Sequence, residues 1–135
     1  MTNEAFMRYK TLLDHISDLA YICDTKGNIL YVNKVFERMT GYKSEEYASR
    51  PFSPLFDDKN LKMAMDVYTR TLSGERSEFE LRFKDTDVVC EYKSQPLRDR
   101  DANIIGVVGI ARDITRRKHM EEASLKSEKM KVLED

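Results

Sequence analysis

Reactive side chains are few in this chain, and they stand far apart. The two cysteines, Cys23 and Cys90, sit in strand-like runs, and their spacing matches no zinc motif. A cysteine in such a run is a small buried apolar group; a redox or covalent-ligand role is the other reading of these thiols. The two histidines, His15 and His119, fall in the terminal segments, away from both thiols. Paired acidic residues, such as Glu45-Glu46 and Asp57-Asp58, are all that offers acid–base chemistry anything. Both pairs open expected helices, where acidic groups complement the positive end of the helix dipole. There is no Ser/His/Asp set, no metal cluster and no glycine-rich phosphate loop. These residues give no catalytic constellation, so no enzyme is expected.

The elements around them follow from periodicity. A length of 135 residues suits one domain with flanking helices; 41% hydrophobic residues suffice for one core, and 35% charged residues point to solvated helical extensions. A net charge of -1 gives no reason to expect nucleic acid or an anionic membrane as partner. With no run of about 18 apolar residues and no signal-peptide pattern, a soluble, cytoplasmic domain is expected. Residues 1–18 read as a helix capped by Thr2 or Asn3, with Phe6, Tyr9, Leu13 and Ile16 on one stripe. The stripe packs either on its own domain or against a second copy. A hairpin follows, Leu19–Cys23 and Ile29–Val32, with Gly27 in its turn. Asn33 is expected to cap a short helix that Gly41 ends, and Ser44 to begin another. A longer helix runs from Asp57 or Asp58 to about Ser73, with Leu61, Met65, Tyr68 and Leu72 as its stripe. Phe79, Leu81 and Phe83 alternate with charged residues in a strand buried on one face. Strands at about Val88–Leu97 and Ile104–Arg112 complete the set; the last is apolar almost throughout and reads as central. From Arg116 no glycine or proline occurs, and Met120, Ala123, Ser127 and Met130 give a weak stripe on a terminal helix. The order is α+β: one five-stranded antiparallel sheet with helices gathered on one face and a helical extension at each end. The expected divisions are 1–18, 19–115 and 116–135.

The ordered set of short stretches resembles the PAS family in its common bacterial form. It runs through Asp24, Gly27, Ile29 and Tyr31-Val32-Asn33, then Gly41-Tyr42 with Glu45-Glu46, then Arg50-Pro51-Phe52 and Leu55-Phe56-Asp57. It continues through Gly74-Glu75, Phe79-Glu80-Leu81-Arg82, Pro96-Leu97-Arg98-Asp99 and Ile105-Gly106-Val107-Val108-Gly109, and closes on Asp113-Ile114-Thr115-Arg116-Arg117-Lys118. Two features depart from the pattern. Ser49 stands where relatives often carry glycine, and the turn at Lys84-Asp85-Thr86-Asp87 lacks its usual glycine.

The resemblance implies a sensory domain whose sheet curls around a small cavity. Haem-binding relatives ligate iron with a histidine on the long helix, and residues 58–73 contain none. Photoactive flavin relatives need a cysteine in the short helix before it, and residues 44–60 contain none. Neither cofactor is expected, and no other is specified. The cavity candidates are Ile22, Phe36, Met39, Phe52, Leu55, Met65, Tyr68, Leu72, Phe79, Leu81 and Tyr92. The same side chains would also serve as plain core packed at native density. A small apolar or aromatic ligand is the expected occupant if they line a pocket, with Tyr68, Tyr92, Ser94 and Arg112 as polar candidates. Asp113, Ile114 and Thr115 carry the signal-transmission role: Asp113 or Thr115 caps the last helix, a contact worth about 1 kcal/mol, and so forms its hinge. The partners implied are a second copy, through the terminal helices, and an output domain elsewhere in the same protein. The tail from Ser127 to Leu133 is similar to linkers that precede the phosphoacceptor helix of histidine kinases, and such linkers also lead into a second PAS domain or a cyclase. The rival reading is a ligand-free dimerisation module with a filled core.

Overall fold

The computed structural model describes residues 10–134, with side chains described to residue 131. Thr2, Asn3, Phe6 and Tyr9 lie outside the described residues. Five strands form one antiparallel sheet: β1 (Leu19–Asp24), β2 (Ile29–Val32), β3 (Ser77–Arg82), β4 (Val89–Arg98) and β5 (Ile104–Asp113). The spatial order is β2-β1-β5-β4-β3, so the apolar β5 is central. Between β2 and β3 the chain forms α1 (Val35–Thr40), α2 (Ser44–Tyr47), a 3-10 turn (Ser53–Leu55) and α3 (Asp58–Leu72); α4 (Thr115–Glu134) leaves the end of β5.

The punctuation of the chain follows local chemistry. Asp57 caps α3, its Oδ1 accepting from the Asn60 amide at 2.9 Å. Gly41 ends α1 in the left-handed region at φ 79°. Ser49, in the position where glycine is usual, itself takes φ 61°, a conformation that glycine adopts without strain. Asp85 does the same in the shortened turn at φ 58°, and the Thr86 hydroxyl closes that turn by donating to the Phe83 carbonyl at 2.8 Å.

Two clusters of buried side chains occupy the two faces of the sheet. The inner one gathers Leu19, Cys23, Ile29, Phe36, Leu81, Phe83, Cys90 and Tyr92 under α1 and α3. The outer one gathers Leu13, Ala20, Ile22 and Leu97, with Ile16 packed against them. Within the described residues, therefore, the N-terminal stripe packs on its own domain. Asn33 does not cap α1, as its type suggested. It is buried between β1 and the N-terminal segment, where its Oδ1 accepts from the Ala20 amide and its Nδ2 donates to the Leu13 and Asp18 carbonyls.

The stripe expected for α3 is rotated. Its buried residues are Ala64, Val67 and Thr71, with Leu61 and Tyr68 packed beside them. Met65 is 46% exposed, because small residues let the helix backbone approach the sheet and turn the long thioether outward. No helix among the described residues is long and apolar enough to cross a membrane.

Candidate functional site

The inner face of the sheet and the helices above it enclose a cavity of about 80 Å³. Seven of the sequence candidates line it: Phe36, Phe52, Leu55, Tyr68, Phe79, Leu81 and Tyr92. Four do not. Ile22 points to the outer face, because β1 alternates and presents Leu19, Tyr21 and Cys23 inward. Met39 packs at the edge of the core, where the Cys90 thiol lies 3.3 Å from its sulfur. Met65 faces solvent, and Leu72, half-buried, lies one position past the inward-facing Thr71. Of the polar candidates, Arg112 is also outside; it is exposed and pairs with Asp18 at 3.6 Å. Sequence reasoning missed Tyr21, Cys23, Ile29, Val32 and Val107, all on the wall. Ile29 and Val32 are three residues apart, yet both face inward because a bulge between β1 and β2 resets the alternation.

The wall is aromatic and ordered by ring contacts. Phe79 stacks on Tyr92 at 5.1 Å, Phe56 stacks on Phe83 at 5.5 Å, and Phe52 meets Tyr68 edge-on at 5.3 Å. Gly109 makes room for Tyr21, since a Cβ there would overlap the phenol. The Tyr68 hydroxyl donates to the Asp24 carbonyl. The Thr71 hydroxyl donates to the Val67 carbonyl at 2.8 Å, which leaves the Ser94 hydroxyl to donate to Thr71 at 3.1 Å. The Tyr92 hydroxyl is buried without a partner. Burial pushes the Cys23 thiol and the Tyr68 phenol up to about 12, so both stay protonated and the thiol is a poor nucleophile.

The second part of the site is the root of α4. The Asp113 Oδ1 accepts from the Thr115 amide at 2.9 Å and from its hydroxyl at 2.5 Å. Thr115 Oγ1 in turn accepts from the Val89 amide at 3.0 Å, and the Ile114 amide donates to the Val89 carbonyl at 2.9 Å. Ile114 itself is 4% exposed. The three residues thus pin the start of α4 to the first residue of β4. Outside this pin, Arg117 lies 3.4 Å from Glu91 and 3.7 Å from Glu80; Lys118 lies 2.9 Å from Glu80, and His119 2.7 Å from Asp87. Hydrogen bonding to Glu80 holds the Lys118 ammonium above its usual range.

An antiparallel sheet in the order 2-1-5-4-3 with an aromatic cavity beneath α3 agrees with the comparison to known families, in which the PAS fold matches residues 13–119. The chain belongs to the PAS family. Two histidine kinases contain similar segments. The signal transduction histidine-protein kinase AtoS of Escherichia coli K12 is 21% identical over 123 residues, 90% of this chain and 20% of that protein. The methanogenesis regulatory histidine kinase FilI of Methanothrix harundinacea is 27% identical over 111 residues, 80% of this chain and 12% of that protein. This PAS chain therefore spans a fifth or less of either relative. Among solved structures, the LOV protein of Rhodobacter sphaeroides superposes with a TM-score of 0.73 at 18% identity, covering 92% of this chain and 74% of that one. A PAS domain is a sensory, non-catalytic unit, and kinases of this kind are enzymes through other domains.

Proposed function

We propose that this PAS domain senses a small ligand in its inner cavity and reports it by re-aiming α4 toward an output domain, as part of a histidine kinase. The observation that carries the reading is the continuity of β4. Tyr92 and Ser94 of this strand line the cavity, and Val89 at its start holds both Ile114 and Thr115 at the root of α4. An occupant that shifts β4 acts on the helix root through the two hydrogen bonds of Val89. A ligand needs only to favour one of two root arrangements by a few kcal/mol. The two kinase relatives support the nature of the output.

The same helix supports pairing with a second copy. Met120, Leu125 and Met130 are 62%, 54% and 55% exposed along α4. A domain in this setting acts in the cytoplasm, where a kinase finds its nucleotide.

The test is a graft. The chain replaces the matching segment of AtoS, and autophosphorylation is compared with that of the same graft carrying Asp113→Ala. Loss of a cap worth about 1 kcal/mol should change the rate about fivefold while the domain stays folded. An unchanged rate in a folded variant would sink the hinge reading.

A further inference from the structure

Among the described residues, the fully buried side-chain polar atoms around the cavity are satisfied with one exception. Ser94 is committed to Thr71, and Tyr68 to the Asp24 carbonyl. Tyr92, 4% exposed, is the only residue among those described with a buried side-chain polar atom that lacks a hydrogen-bond partner. A phenol hydroxyl taken out of water without a partner is costly, and such a group in a ligand-sized space points to what the space is for.

Three further facts narrow the occupant. The wall contains no Lys, Arg, His, Asp or Glu, so an ionised ligand would enter uncompensated. The volume of about 80 Å³ is far below the ~300–1,000 Å³ of ordinary cofactor pockets, which limits the occupant to one small ring. The half-buried Phe52, Tyr68 and Phe79 form the side of the wall with room to yield around such a ring. Burial also keeps the Tyr92 phenol protonated, and therefore a donor.

We propose that the cavity takes a neutral, largely apolar single-ring molecule that presents one hydrogen-bond acceptor to the Tyr92 hydroxyl. This inference rests on the reading of the cavity as a ligand site and adds the chemistry of the ligand and its anchor. Pyridine and benzene are the probes, since they share a shape and differ by one acceptor. Each is titrated into the purified 135-residue chain and into Tyr92→Phe, with amide chemical shifts of the inner strands as readout. Tyr92→Phe removes only an unpartnered hydroxyl, so it keeps the fold. Pyridine should bind the variant about tenfold more weakly than the wild type, while benzene binds both equally or prefers the variant. If both probes bind and their affinity ratio is the same in the two proteins, Tyr92 is not the anchor, and the inference falls while the cavity remains a ligand site. If neither probe shifts inner-strand amides in either protein, the space is packed core, and both the inference and the ligand-sensing reading fall.

Discussion

The two faces of the sheet are made from the same strands and behave as different materials. The inner face carries aromatic and aliphatic groups against a cavity with no charge on its wall. The outer face divides: near β1 it is apolar and covered by Leu13 and Ile16, while toward β3 it carries Glu78, Glu80, Glu91 and Lys93. The charged half is where α4 is tied down. Alternation along β4 therefore sends one residue to the cavity and the next to the root of α4: Tyr92 faces the cavity, and Glu91 faces Arg117. Neighbouring side chains on one strand thus join the cavity wall to the root of α4 by a short physical route.

That contrast can be broken hardest from inside. Phe36 is 1% exposed and contacts Tyr42, Tyr47 and Phe83. Phe36→Ala should cost about 3 to 5 kcal/mol in urea unfolding, whereas Met65→Ala, on the wet side of α3, should change stability by less than about 0.5 kcal/mol. Equal effects would mean that α3 presents its other side to the sheet.

A smaller effect is expected at the centre of the sheet. Gly109→Ala places a methyl against the Tyr21 phenol and forces the ring to move, at a cost of about 1 to 3 kcal/mol. Thermal unfolding measures the loss, and Tyr21 ring signals in NMR spectra report the movement. A variant with wild-type stability and unmoved Tyr21 signals would remove glycine's role in making this space.

The smallest effects separate the faces by pH. On the surface, the Ser44 amide donates to Glu37 and the Asn60 amide to Asp57, and each bond holds its carboxyl below the ordinary range. A depressed folded-state pKa contributes stability above the unfolded value and loses it as pH falls through the folded one, so this surface weakens below about pH 4. Inside, Cys23 and Tyr68 are raised to about 12, so their contribution is complete below their unfolded values near 9 and 10 and is lost as pH rises toward 12. Melting temperatures across pH 3–11 should therefore fall at both ends. Acid should loosen α1, α2 and α3 first, and alkali the cavity wall. A flat profile above pH 9 would mean that the inner groups are solvated.

The fold was legible in the sequence because most elements carry their own punctuation: Gly27 and Gly41 in left-handed positions, Asp57 at a cap, and charged residues between Phe79, Leu81 and Phe83. The site was half legible, for reasons of phase. In Leu19–Cys23 every residue is apolar, so a period of two gives no clue to which set faces the cavity, and Ile22 was placed on the wrong side. In α3 the large residues Met65 and Leu72 outweigh Ala64 and Thr71 in any hydrophobic stripe, yet the small ones sit at the close contact. The bulge that turns Ile29 and Val32 to the same face leaves no signature in their spacing. At the exit, by contrast, Asp113 and Thr115 are short polar groups before a glycine-free run, and they form the cap they suggest.

The length of α4 has a mechanical consequence. Its 20 residues span about 30 Å at 1.5 Å per residue. Among the described residues, the hydrogen bonds and ion pairs that tie the helix to the rest of the domain fall between Thr115 and His119, a geometry in which Thr115 could serve as the pivot of a lever. A rotation of about 10° there would carry the far end sideways through roughly 5 Å. A change in β4 too small to disturb the packing of the core, if it tilted the root by that angle, would arrive at the other end of the helix as a sideways displacement of about 5 Å.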